Sequence, residues 1–157
     1  MISRRKKRYF TAETDSPPPL SAETRRKVRF EEVDPLGIVW HGRYPSYFED
    51  GRVAFGDKFD LSYITMRKEN FYAPIVKMHL DYHHPLKYHE EMTIIATLHW
   101  SDAARLNFEY EILAESGQVA ATGYTVQLLT NLDRETLMTR PEFVEKFCER
   151  WRKGIIK

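Results

Sequence analysis

The sequence predicts an α+β domain in which an antiparallel sheet wraps one central helix, with a further helix closing the chain. Three observations predict it. Apolar residues fall at helical spacing from Tyr44 to Phe59, and two-residue alternation recurs through the segments between Tyr72 and Leu129. Turn signals at Ser101-Asp102 and Ser116-Gly117 join the alternating segments as hairpins. One helix followed by a run of antiparallel strands leaves a sheet face to cover, which a second copy of the chain can do, so a homo-oligomer, dimer or tetramer, is expected.

The elements follow in order. The first residues, MISRRKKRYFTAETDSPPPL, carry five consecutive cations from Arg4 to Arg8 with no apolar run behind them, and so read as neither a signal peptide nor a membrane span. Pro17-Pro18-Pro19 favours extended backbone and separates a basic flexible tail, residues 1–24, from a globular domain over residues 25–157. Val28 and Phe30 alternate with charged residues, which predicts a first strand over Lys27–Glu32. Asp34 precedes Pro35 and is therefore held in extended or turn backbone, with Leu36-Gly37 continuing the turn. Tyr44, Tyr47, Phe48, Phe55 and Phe59 then mark the central helix; Pro45 suits its first turn, and Gly51 and Gly56 allow strands to approach it. A connecting region around Leu61 to Asn70 leads to a strand from Tyr72 to Tyr82. Strands follow over Met92–Trp100, Leu106–Ile112 and Gln118–Leu129, and RPEFVEKFCERW predicts a terminal helix from Pro141.

Composition narrows the function classes. With 24 Lys+Arg against 23 Asp+Glu the net charge is +1, so nucleic acid held by bulk charge is not expected, and the cluster at Arg4–Arg8 reads as a solvated tail. A single cysteine, Cys148, forms no internal disulfide and suits a reducing cytoplasm. His79, His83, His84, His89 and His99 raise a metal site, but strand spacing parts them: His79 and His83 would lie about 13 Å apart and His83 and His84 face opposite sides. No metal and no cofactor is expected.

The stretch VDPLGIVWHGRYPSYFEDGR, Val33 to Arg52, concentrates the chemistry. Asp34 sits in a turn that leads to a helix N-terminus, where the backbone N–H groups near His41 and Gly42 lack intrahelical acceptors. By itself an Asp-Pro pair is equally a turn opener. DPLGIVWHGRY resembles the signature of the hotdog-fold acyl-CoA thioesterases of the 4-hydroxybenzoyl-CoA thioesterase family, which includes the thioesterases associated with the Tol-Pal system. PIVKMHLDYHHPLKYHEEMTI resembles the second and third strands of the same family. His41 matches the Tol-Pal-like branch, and GIVW is closer to the 4-hydroxybenzoyl branch.

The resemblance implies a hotdog fold and hydrolysis of an acyl-CoA, its acyl group short-to-medium aliphatic or aromatic, at a site shared by two subunits. Asp34 would attack the carbonyl or activate a water, and the His41 and Gly42 region would polarise the carbonyl. Tyr44, Phe48, Glu49 and Tyr72 are the candidate substrate-binding residues, with Glu49 able to face a neighbouring subunit. Arg43, Arg52, Lys77, Lys87 and Arg105 are candidates for the route of CoA outward. Two alternatives keep the fold: a thioesterase acting on acyl carrier protein, and a non-catalytic binder of acyl thioesters.

Overall fold

The sheet opens at β1 (Leu20–Lys27), ahead of the expected Lys27–Glu32 strand, in a computed structural model that describes residues 9–157. Leu20 to Thr24 thus stand in the sheet and not in the tail; the cations Arg4–Arg8 lie outside the described residues. The strand was hidden because it is an edge strand whose inward positions turn polar along its length. Leu20 and Ala22 are buried, and the same face ends on Arg26, whose guanidinium pairs with Glu32 and Asp50 and lies 5.0 Å from the Tyr47 ring. Phe30–Glu32, read as strand, is a single 3-10 turn.

Helix α1 (Tyr44–Phe59) and strands β2 (Ile75–Tyr82), β3 (Glu91–His99), β4 (Arg105–Leu113) and β5 (Val119–Leu128) fall where the periodicity puts them, except that β2 begins at Ile75 and not at Tyr72, which stands in an isolated bridge to Thr130. Helix α2 (Tyr63–Lys68), within the expected connection, has Ser62 as its N-cap, the Oγ accepting from Thr65 N–H at 3.1 Å. Helix α3 (Glu142–Arg152) begins after Pro141. All strand pairs are antiparallel, in the order β1-β3-β4-β5-β2.

The sheet curls around α1. Phe48 stacks on Tyr110 with centroids 4.5 Å apart, and Phe55 meets the Phe108 edge at 4.9 Å. Each such buried ring contributes about 1.5–3 kcal/mol. Gly51 sets the gap between the layers, since a Cβ there would stand 2.9 Å from a methyl of Ile94. Gly56 differs from expectation: what approaches it is the loop into α2, with Ser62 Cα at 2.9 Å, and not a strand.

Arg52 is the unusual member of this core. It is 1 % exposed, its Nε reaches Gln127 Oε1 at 3.3 Å, and its guanidinium lies between the rings of Tyr63 and Phe108. Neither terminal nitrogen has a hydrogen-bond partner among the described residues, and burial lowers its pKa. A buried cation with no carboxylate in hydrogen-bond contact, Glu49 acting on it only through space, stabilises little, so Arg52→Met is expected to melt at or above the parent temperature in a thermal unfolding scan.

The outer sheet face is covered in part by residues ahead of β1. Tyr9 donates to Asp81 Oδ2 at 2.6 Å and sits 2.8 Å from Thr122 Oγ1, its ring against those of His79 and Tyr124. Phe10 packs on His99 and Tyr124. Beneath them His79 lies 3.0 Å from Asp81 and His99 2.8 Å from Glu109. These contacts lack hydrogen-bond geometry, since His79 Nε2, His99 Nε2 and Glu109 Oε2 have no hydrogen-bond partner among the described residues, and what packs the two imidazoles is the rings around them. At the far end Trp151 of α3 donates to Pro18 O at 2.8 Å. Cys148 is buried in α3, which pushes its thiol up to about 11. Strand β2 closes one side of the sheet order and leaves Ile75, Val76, Met78 and Tyr82 exposed.

Candidate active site

The site is built on a buried carboxylate held by three donors. Glu32 is 4 % exposed and accepts from Arg29 N–H at 2.8 Å, from Tyr47 Oη at 3.0 Å and from Arg26. Its own carbonyl accepts from Trp40 N–H at 2.9 Å, and Val33 pairs with Val39, so the chain between is drawn into a tight loop. Asp34 opens that loop. Asp34 N–H donates to Ile38 O and Gly37 N–H to Asp34 O, both at 2.9 Å, with Gly37 at φ +76°, where a side chain would be strained. Asp34 Oδ1 accepts from Leu36 N–H at 2.8 Å, the side-chain turn expected of Asp-Pro. Its Oδ2 has no hydrogen-bond partner among the described residues.

Past the loop, His41–Arg43 makes a 3-10 turn that runs into α1. Arg43 N–H donates to Trp40 O at 2.9 Å, but the His41 and Gly42 N–H groups find no acceptor among the described residues. Gly42 has a steric reason: a Cβ there would fall 2.3 Å from the Trp40 ring, which lies over the turn and 5.1 Å from the His41 ring.

The opposite wall comes from the segment after β2. Val39 N–H donates to Leu86 O at 2.9 Å and Ile38 bridges to Lys87, which docks that segment on the loop. Between them lies a cavity of about 390 Å³ lined by Asp34, His41, Tyr44, Tyr82, His83 and His84, with Ile38, Val39 and Pro85. Tyr82 Oη donates to His41 O at 2.6 Å, and its ring meets Tyr44 edge-on at 5.0 Å. Burial raises the pKa of both Tyr44 and Tyr82, which keeps their hydroxyls protonated at neutral pH.

A model of the thioesterase-like superfamily matches residues 28–149, a span that contains the loop, α1 and all but the first strand. The chain belongs to the thioesterase-like superfamily. Its fold is the hotdog fold, and its class of reaction is thioester hydrolysis. YneP of Bacillus subtilis (strain 168), named as a candidate acyl-CoA thioesterase, is 28% identical over 94 residues, 60% of this chain and 68% of that protein. A candidate esterase of Aquifex aeolicus (strain VF5) is 30% identical over 96 residues, 61% and 75% of the two chains. Among solved structures, the DHNA-CoA thioesterase from Staphylococcus aureus superposes with a TM-score of 0.74 at 25% identity, covering 87% of this chain and 97% of its own. These similarities carry the superfamily and not the Tol-Pal branch within it.

Within this superfamily member, the sequence-predicted residues divide. Asp34, His41 and Tyr44 line one cavity, and Gly42 adjoins it. Phe48 does not: it is a core ring under Tyr110. Glu49 is exposed on α1, and Tyr72 is half-buried in a bridge to Thr130, away from the cavity. Of the cations, Arg52 is sealed in the core, Lys77 lies 5.7 Å from the Tyr124 ring on the sheet face, and Arg105 binds Ser101 at the β3–β4 end. Sequence reasoning missed Tyr82 and His84 as cavity residues. The signal available was the position of YHHP at the end of a strand, but only the docking of Leu86 on Val39 gives it meaning.

Proposed function

We propose that the protein hydrolyses an acyl-CoA to the free acid and CoA, with Asp34 as the reacting carboxylate. The observation that carries this reading is the pairing, in one cavity, of a carboxylate that has one oxygen tied to its own turn with N–H groups opening a helix without acceptors. A thioester carbonyl seated there would meet the Asp34 oxygen on one side and the His41 and Gly42 N–H groups on the other. Either Asp34 adds to the carbonyl, the C–S bond breaks to release CoA thiolate, and water opens the anhydride, or Asp34 takes the proton of a water that adds instead. A single turnover in heavy-oxygen water that leaves the acid unlabelled and Asp34 labelled would establish the anhydride route, since direct water addition always labels the acid.

Tyr82 acts through the turn. A donor on His41 O polarises the peptide shared with Gly42 N–H and strengthens that N–H toward a developing oxyanion. Tyr82→Phe is expected to lower kcat about five- to tenfold with KM little changed, and an unchanged kcat would remove Tyr82 from this role.

A second copy completes the assembly in this reading. The open, apolar β2 edge suits a matching β2 edge, which continues the sheet and brings the partner beside Tyr82 and the cavity mouth. Acyl groups in the short-to-medium aliphatic and aromatic range fit a cavity of this size. The reducing cytoplasm suits a chain whose single thiol is buried. Thiol release from a panel of aliphatic, aromatic and 3-hydroxyacyl-CoAs tests the activity, and silence across that panel would sink it.

A further inference from the structure

A second concavity, of about 440 Å³, lies beside the 3-10 turn, and its chemistry differs from that of the cavity at Asp34. Phe30 is 77% exposed and Tyr88 53%, with ring centroids 5.9 Å apart and nearly perpendicular, and Lys27, Arg29 and His89 stand around them. Two exposed rings held together in water are costly unless something covers them. The frame beneath them is fixed: Val28 N–H donates to Glu90 O at 2.9 Å and His89 N–H to Val28 O at 3.1 Å, with His89 at φ +65°.

The cations are available. Arg26 is committed to Glu32 and Asp50, but the Arg29 guanidinium pairs, among the described residues, with Glu31 alone and at 3.9 Å, both side chains about two-thirds exposed or more, a surface pair that a phosphate displaces readily. Lys27 faces Glu91 across the β1–β3 ladder and has no ion pair among the described residues. Exposed rings with flanking cations suit a ligand that is a flat heterocycle bearing phosphates.

The place fits the same ligand. The segment that lines the Asp34 cavity at Pro85 reaches Tyr88 three residues later, at most about 10 Å on, past exposed Lys87. Phe30 likewise precedes Asp34 on the other bank. We propose that the Phe30–Tyr88 concavity holds the adenine and phosphates of CoA while the pantetheine arm runs over Lys87 to the thioester at Asp34. This rests on the acyl-CoA reading above and adds the subsite that would make CoA, and not a bare thioester, the substrate.

Calorimetric titration of the full chain with CoA and with pantetheine, for the parent and for Phe30→Ala/Tyr88→Ala, tests it. Both rings are exposed, so the variant is expected to keep its circular dichroism spectrum. The parent should bind CoA at least about tenfold more tightly than pantetheine, the double variant should lose most of that preference, and added salt should weaken CoA alone. Lys27→Glu/Arg29→Glu should lose it by charge. A parent that binds the two equally, or a variant that keeps the preference, overturns the subsite, as does a change in oligomeric mass with CoA affinity intact, which would make the rings a subunit contact. Turnover of acyl-CoA measured on the same samples separates the two readings. Hydrolysis without nucleotide preference sinks the subsite alone, whereas nucleotide binding at these rings without hydrolysis upholds the subsite and sinks the enzyme reading.

Discussion

Asp34→Asn is expected to lower kcat by about a thousandfold while leaving the melting temperature near that of the parent. The substitution is chosen for what it keeps. Asparagine Oδ1 accepts from Leu36 N–H as the carboxylate does at 2.8 Å, so the turn and the hairpin bonds on Asp34 N–H and O survive. What is lost is a negatively charged oxygen able to add to a carbonyl or to take a proton from water. Thiol release beside a thermal scan therefore separates the two roles of this residue. Full activity in the asparagine variant would make Asp34 a turn residue only, and loss of both activity and fold would leave the turn as its main contribution.

Gly123→Ala is expected to produce the largest loss of stability, on the order of 3 kcal/mol or more, read as a fall in Tm of roughly 10 °C. Gly123 pairs with Leu80 of β2 and Tyr110 of β4, and an added Cβ would stand 2.2 Å from His79 O and 2.7 Å from the Phe48 ring. Neither neighbour yields. His79 O belongs to the β2–β5 ladder, and Phe48 is stacked on Tyr110 in the core. The helix and β2 would separate, and Tyr82 at the end of β2 would lose its hold on His41. Gly117→Ala offers the contrast, because its φ of +82° is strained for a side chain but nothing lies within 4 Å, so about 1 kcal/mol is expected. Equal losses at the two sites would refute the packing argument.

What the sequence made legible was amphipathic order. Central helix α1 and strands β2 to β5 carry apolar residues at the period of their own structure, and β3–β4 and β4–β5 pair through hairpin turns, whereas β2 pairs with β5 and not with its neighbour in the chain. Strand β1 lacked that signature because its inward face finishes on Arg26, satisfied by Glu32 and Asp50, which no period reveals. Short α2 was concealed for a related reason: six residues begun by a serine cap carry too few turns to show a stripe. At the site, the Asp34 loop was readable since its turn chemistry is local. Tyr82 and His84 were not, since their place depends on a long-range dock between Leu86 and Val39. Phe48 and Tyr72 illustrate the converse, rings whose helical or strand spacing looks like a pocket wall until packing assigns them to the core or to a bridge.

The aromatic pair ahead of β1 sets a clock on maturation. Tyr9 binds Asp81, 72 residues later in the chain, and Thr122, 113 residues later. A ribosome adding about 5–20 residues per second makes the second partner roughly 6 to 23 seconds after the tyrosine. Throughout that interval the segment that will lie on the sheet has no sheet to lie on. Its docking is therefore a late event of biosynthesis, reached only after β2 and β5 have paired, and a nascent chain stalled before Thr122 would present Tyr9 and Phe10 to whatever waits at the exit tunnel.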